Sequence, residues 1–413
     1  MGAVSEDAQY LAYGLSSSGS DWVTIKVMIV ADKKTLPDTL SWVKFSSISW
    51  TQDGKGFFYS RYPAPKEHSE LDAGTETNIN LNHELYYHFL GTRQSEDILC
   101  WRDPENPKYL FSSQVTDDGK YLLLDIEEGC DPVNKLYYCD LSALPLGLGG
   151  YKDTKSMLPF IKLVDNFEAS YRAVSNDDTE FTFISNKDAP KYKLIRVNIK
   201  EPGLWTDVLP ESAKDVLESA YAVNGNQLLV SYLSDVKYVV QLLDLKNRDL
   251  AAPVTDRYWH STGVPEMKIF REILVPGFDR SDFQVKTGHA WTSDYGCSDI
   301  KEEFEWLIKY SPLHNVRRPW EKPAGEACQY PPTMLLTADH DDRVVPLHSL
   351  KLLATMQYVL CTSINNSPQT NPIIARIDRK AGHGAGRPTQ KMIDETADRY
   401  SFLAKMMGAS WIG

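Results

Sequence analysis

Two stretches near the C-terminal end decide how this chain reads: Thr337-Ala338-Asp339-His340-Asp341-Asp342-Arg343-Val344-Val345-Pro346 and Lys380-Ala381-Gly382-His383-Gly384-Ala385-Gly386. An acid followed downstream by a histidine matches the second and third members of a serine-hydrolase triad, in the chain order of α/β-hydrolases. Each motif follows a short apolar run, Pro332 to Ala338 and Pro372 to Asp378, that reads as a buried strand. In parallel α/β sheets, functional groups stand at the carboxyl ends of the strands, which is where Asp341 and His383 fall. A triad needs that placement. A buried carboxylate accepts the imidazole Nδ1–H and fixes the tautomer, and the other ring nitrogen then faces the nucleophile. The bland alternatives are helix capping for Asp341 or Asp342 before Pro346 and Leu347, and a surface-loop role for His383. Order, spacing and strand context together favour the triad.

The third member should be a serine in a Gly-x-Ser-x-Gly elbow upstream. Every Gly-x-Ser fails. Gly14-Leu15-Ser16-Ser17-Ser18 lacks the closing glycine and lies in a β-rich region. Gly296-Cys297-Ser298-Asp299-Ile300 has only the first half and opens a helix. Gly408-Ala409-Ser410-Trp411-Ile412 also lacks the closing glycine and follows His383. The Gly149-Gly150 pair has no serine in register, and no glycine cluster of the oxyanion type occurs. Other chemistries fare worse. His83-Glu84-Leu85-Tyr86-Tyr87-His88 spaces its histidines five apart in a strand-like segment, off the shared helical face that a zinc motif requires. There is no P-loop, and no cofactor or metal site is expected.

Upstream, one pattern recurs: an Asp-, Asn- or Gly-rich turn, an aromatic and aliphatic strand, then a second apolar strand. The turn-and-strand units are Ser5 to Tyr13, Thr51 to Tyr59, Thr116 to Leu124, Ser175 to Phe183 and Val223 to Val230. The partner strands are Trp22 to Val30, Leu85 to Leu90, Lys135 to Leu141, Tyr192 to Ile199 and Val236 to Leu245. A period of about 45 to 65 residues suits propeller blades with some long loops. An irregular sandwich would not repeat one unit so often. Near residue 250 the repeat stops. Asp249 to Gly263 reads as a linker and Ile269 to Val275 as one more strand. After residue 288 the texture is α/β, with predicted helices at Ile300 to Tyr310, Leu347 to Cys361 and Pro388 to Met407.

Composition sets the outer bounds. The 413 residues suggest roughly two or three domains, and 42% hydrophobic with 24% charged content is ordinary for a globular chain. An aromatic share of 11% suits a large β portion. The net charge of −12 argues against nucleic acid or an anionic membrane as partner. Six widely spaced cysteines without Cys-x-x-Cys are expected to be free thiols in a reducing cytoplasm. No signal-peptide pattern opens the chain, and no apolar run approaches the roughly 18 residues of a membrane span.

Several longer stretches are similar to the prolyl oligopeptidase family, two-domain serine peptidases. They include Tyr13-Gly14-Leu15-Ser16 through Lys26; Gly91-Thr92 through Cys100; Glu128-Gly129-Cys130-Asp131-Pro132-Val133-Asn134; Gly288-His289-Ala290-Trp291-Thr292-Ser293-Asp294-Tyr295-Gly296-Cys297-Ser298-Asp299; Trp306 through Asn315; and the two triad motifs. The expected architecture is an incomplete β-propeller of about five blades over 1–250. A linker and last propeller strand over 251–287 and the C-terminal part of an α/β-hydrolase domain over 288–413 complete it.

The resemblance implies that Asp341 and His383 are the triad acid and base. It also implies that Arg343 binds a substrate carbonyl, Trp291 stacks on the substrate proline, and Tyr295 and Val344 line the same pocket. Without the resemblance Trp291 reads as a core or interface aromatic. The family pattern further implies that this chain starts inside the propeller. Thr287 then runs straight into Gly288 where the family carries its oxyanion tyrosine and serine elbow.

Two readings follow. One is an active endopeptidase cleaving after proline in short peptides. The other is a propeller-bearing remnant that binds peptides or proteins without catalysis. The missing elbow serine favours the second. If folded, the chain is expected to be a monomer.

Overall fold

The repeated turn-and-strand units form the two central strands of successive four-stranded antiparallel sheets. In this computed structural model the described residues are 1–16, 18–64, 80–152, 154, 156–223, 227–234, 237–244, 250–253, 292–321, 329–362, 365, 367–383 and 388–409. Among them are five such sheets, each a meander of consecutive strands. The first is β1 to β4: Gly2–Val4, Tyr10–Ser16, Val23–Ile29 and Thr35–Val43. The second is β5 to β8: Ile48–Trp50, Gly56–Arg61, Glu84–Phe89 and Ile98–Arg102. The third is β9 to β12: Leu110–Val115, Tyr121–Glu127, Lys135–Asp140 and Ile161–Val164. The fourth is β13 to β16: Tyr171–Asp177, Glu180–Ser185, Lys193–Asn198 and Trp205–Leu209. The fifth is β17 to β20: Val216–Val223, Gln227–Ser234, Lys237–Asp244 and Leu250–Pro253.

The run Tyr121-Leu122-Leu123-Leu124 shows why these sheets stack as blades. A half-buried strand alternates apolar with polar; this one is apolar at every position, because both its faces are covered. Leu122 and Leu124 pack toward the second sheet, in a core with Phe58, Tyr87 and Phe111. Tyr121 and Leu123 point the other way, into a core with Phe181 and Phe183 of the fourth. Ile25 and Val27 likewise meet Phe57 and Tyr59, and Ile184 and Leu194 meet Leu228 and Val230. Each sheet thus covers the next in chain order, which is a propeller and not a two-sheet sandwich. No sheet among the described residues combines strands from the two ends of this region. The turns repeat a device. Thr51 and Thr116 each donate a hydroxyl to the aspartate two residues on, Asp53 at 2.8 Å and Asp118 at 2.5 Å. Gly54 and Gly119 then take φ of 65° and 68°, the left-handed region that suits glycine.

Between the first two sheets lies a buried charge relay, built on a histidine that the sequence presents only as structural. His88 donates from Nε2 to Asp38 Oδ1 at 2.9 Å and from Nδ1 to Asp97 Oδ1 at 2.7 Å. Two carboxylates facing both ring nitrogens require both to carry protons. Burial alone lowers the His88 pKa, but hydrogen bonds and charge from Asp97 and Asp38 outweigh it and hold it above the ordinary value. Stabilisation from a raised pKa is full below the unfolded-state pKa and is lost as pH rises through the folded-state one. The melting temperature is therefore expected to fall as pH is raised from below neutrality through that window. In His88→Gln the fall should shrink. A melting temperature independent of pH there in the parent chain would refute the assignment.

The α/β portion holds two strands among the described residues. Thr333–Ala338 (β21) pairs in parallel with Ile373–Asp378 (β22), so that Ala338 and Asp378 end opposite each other. The described helices of this portion are Thr292–Tyr295 (α1), Lys301–Tyr310 (α2), Leu347–Gln357 (α3) and Thr389–Met407 (α4), of which α3 packs on both strands. A π-helical turn, Tyr358–Thr362, extends α3. Met356, Leu360 and Ile373 form a small core with Trp320, Leu352 and Leu353 around it. The expected amphipathic helix at the end forms as α4, yet none of its 19 residues is buried. No described helix is long and apolar enough to cross a membrane. Part of the expected linker Asp249 to Gly263 is instead strand, since Leu250–Pro253 forms β20 and closes the fifth sheet. Residues 254–263, the strand expected at Ile269 to Val275 and the Thr287–Gly288 junction lie outside the described residues.

Candidate active site

The parallel register of β21 and β22 continues into the two loops that leave them. Asp339 N–H donates to Asp378 O at 3.0 Å and His340 N–H to Ala381 O at 2.9 Å. Asp339 Oδ1 in turn accepts from Ala381 N–H at 3.3 Å. These bonds hold the acid loop against the histidine loop. His383 Nδ1 consequently lies 3.0 Å from Asp341 Oδ2 and 3.2 Å from Oδ1. Asp341 Oδ1 also accepts N–H groups from Arg343 at 3.1 Å and Val344 at 2.8 Å. The carboxylate is thus aimed by its own loop, as a side chain that must orient an imidazole needs to be.

The electrostatics fit that role. The Asp341 side chain is 11% exposed and the His383 side chain 31%. The hydrogen bond from His383 to Asp341 raises the histidine pKa above its ordinary value; burial opposes this, and the Asp341 charge reinforces it. Asp341 thus stabilises the imidazolium that forms when the ring takes up a proton, the part an orienting carboxylate plays beside a histidine. The histidine loop also passes close to the propeller. A Cβ on Gly382 would lie 1.7 Å from Gly19 O, so the absence of a side chain permits this approach.

Of the other residues singled out in the sequence, Arg343 stands at the pair but is engaged. Its Nε donates to Asp21 Oδ2 at 3.1 Å and its Nη2 to Asp21 Oδ1 at 2.9 Å, a fork across the gap to the first propeller sheet. Val344 joins through its backbone N–H. Tyr295 ends α1 and is 47% exposed, and the described contacts do not link it to the Asp–His pair. Trp291 lies outside the described residues.

The sequence gives no sign of the propeller's share of the site. Asp342 Oδ2 meets Lys44 Nζ at 2.5 Å, and Asp342 Oδ1 accepts from Asp21 N–H at 2.9 Å. Nothing local signals these partners, because Lys44 and Asp21 are 298 and 321 positions away in the chain. Among the described residues no group of His, Cys, Asp and Glu is arranged to hold a metal ion.

Known proteins resemble the chain throughout. A family model described as prolyl oligopeptidase, N-terminal beta-propeller domain, matches residues 1–274, and one described as prolyl oligopeptidase family matches residues 275–410. Prolyl oligopeptidase A of Galerina marginata is 27% identical over 604 positions, covering 99% of this chain and 79% of that protein. Prolyl endopeptidase of Elizabethkingia meningoseptica is 25% identical over 577 positions, covering 96% and 77%. Both alignments run longer than the 413 residues of this chain, so both relatives carry internal segments without a counterpart here. The solved structure of prolyl oligopeptidase B from Galerina marginata, bound to a 35mer hydrolysis and macrocyclization substrate, superposes with a TM-score of 0.79 at 21% identity. That match covers 100% of this chain and 80% of the other, and it shows a shared fold. With a propeller match and a peptidase match that together span residues 1–410, the chain belongs to the prolyl oligopeptidase family.

Proposed function

We propose that this chain binds short proline-containing peptides where the Asp341–His383 loops meet the propeller, and does not hydrolyse them. The observation that carries the reading is the hydrogen bond of 3.0 Å between His383 Nδ1 and Asp341 Oδ2 at adjoining strand ends. That pairing supports reading Asp341 and His383 as acid and base, while the sequence offers no serine elbow for such a base to serve. Relatives of this family include a prolyl endopeptidase and a dual function macrocyclase-peptidase. Recognition of an extended peptide would use Arg343, whose planar fork suits a peptide carbonyl once it leaves Asp21.

The test is binding of a fluorescein-labelled Gly-Pro peptide, read by anisotropy at low ionic strength. Saturable binding is expected, weakened about tenfold or more in Arg343→Met by loss of a charge-assisted hydrogen bond. Absence of binding, or binding untouched by Arg343→Met, would reject the proposal.

A further inference from the structure

We infer that Lys44 of the propeller is a positioning residue for the acid loop of the hydrolase portion, holding it through Asp342 so that the adjacent Asp341 meets His383. The inference rests on reading Asp341 and His383 as an acid–base pair. Lys44 follows β4, and its ammonium and the Asp342 carboxylate are both fully buried, 2.5 Å apart. The other Asp342 oxygen takes the Asp21 N–H. Both carboxylate oxygens are therefore held by the propeller, although Asp342 belongs to the α/β portion.

The support behind Lys44 is itself rigid. The rings of Trp22 and Phe45 lie 5.2 Å from its ammonium. Its carbonyl accepts from His83 Nε2 at 3.1 Å, while His83 Nδ1 accepts from Phe111 N–H at 3.0 Å. Burial depresses the His83 pKa to about 4, so the neutral tautomer this relay needs persists at ordinary pH. A buried carboxylate stripped of its cation is strongly destabilised in that position, and moving toward water relieves it. Its displacement must move the neighbouring residue, and the Asp341 carboxylate takes its direction from the N–H groups of Arg343 and Val344 in that same loop.

The readout is the protonation midpoint of His383, taken from the pH dependence of its carbethoxylation by diethyl pyrocarbonate at low protein concentration and located by peptide mass. Only the neutral ring reacts. The groups that bear on His383 are Asp341, Arg343 and Asp21. In Lys44→Met two effects oppose each other. Direct loss of a positive charge would raise the midpoint. Loss of positioning lowers it toward the ordinary value. At a fixed pH below the midpoint, modification then speeds up about tenfold for each pH unit by which the midpoint falls. We expect the lowering.

The double variant Lys44→Met with Asp342→Leu removes a cation and an anion only 2.5 Å apart, so it leaves no orphan ion to unfold the chain and the two direct effects on His383 largely offset each other. A lowered midpoint is expected there too. A parent-like midpoint in the double variant, with Asp341→Asn lowering it, overturns the inference and leaves the acid–base reading standing. A parent midpoint equal to that of a synthetic Lys380 to Gly386 peptide overturns both.

Discussion

Purified chain is expected to release no fluorophore from a Gly-Pro fluorogenic peptide above the rate without protein, and to take up no fluorophosphonate probe. His383 is paired with Asp341 as a base would be, but a base with no nucleophile at hydrogen-bond distance among the described residues does no acyl chemistry. Ser298 belongs to the one Gly-x-Ser that precedes Asp341 within the α/β portion. Among the described residues its buried hydroxyl has no hydrogen-bond partner, so no bond to His383 activates it. Loss of a triad nucleophile costs on the order of 10⁶ in turnover. Each missing oxyanion donor removes roughly a further 10²–10³. Macrocyclisation through an acyl-enzyme would fail for the same reason. Turnover that a fluorophosphonate abolishes while labelling one serine would show that a nucleophile reaches His383 from outside any Gly-x-Ser-x-Gly turn. The binding part of the proposal is independent of this result, since the recognition proposed there rests on Arg343 and not on a serine.

A second large effect concerns solution behaviour. The chain expressed alone is expected to aggregate, or to bind a hydrophobic dye before any thermal transition. A parallel sheet is normally covered on both faces. Here Ile374 and Ile377 on β22 stay 43% and 44% exposed, and Trp306 on α2 is 60% exposed. Along α4, Met392, Ile393, Tyr400 and Leu403 are all exposed, an apolar stripe with no layer beneath it among the described residues. A sheet of two strands also leaves both outer edges able to pair with another chain.

The propeller sheets contrast with this, because their facing cores are closed by residues such as Phe57, Tyr59, Leu122 and Phe183 at 0% exposure. Domains hold only about 5–15 kcal/mol in reserve, too little to absorb faces of this size. Limited proteolysis should clear the α/β portion first and spare the stacked sheets. A monodisperse monomer with one sharp melt and no dye binding would reject this expectation. It would mean that residues outside those described cover the faces.

Much of the fold was legible because it is written in short-range patterns. The five turn-and-strand units at Ser5, Thr51, Thr116, Ser175 and Val223 lead into β2, β6, β10, β14 and β18, and their partners are β3, β7, β11, β15 and β19. The first and fourth strands of each sheet were not individually legible. Several are short or half-exposed, as Gly2–Val4, Ile161–Val164 and Trp205–Leu209 show, and their apolar signal is correspondingly weak. Strand ends followed by Asp341 and His383 were likewise readable, since a buried strand and the loop after it are local. The missing elbow is a property of sequence alone.

The fork from Arg343 to Asp21 and the burial of Lys44 against Asp342 belong to the other category. An ion pair between residues some 300 positions apart leaves no periodicity, no spacing and no composition bias to read. Whether a carboxylate is a solvated turn residue or the buried link between two domains depends on what packs over it, and only the tertiary structure decides that. The same holds for α4. Its amphipathic pattern determines that it forms a helix with one apolar side; whether that side finds a partner is settled by which other strands and helices the folded chain brings to it.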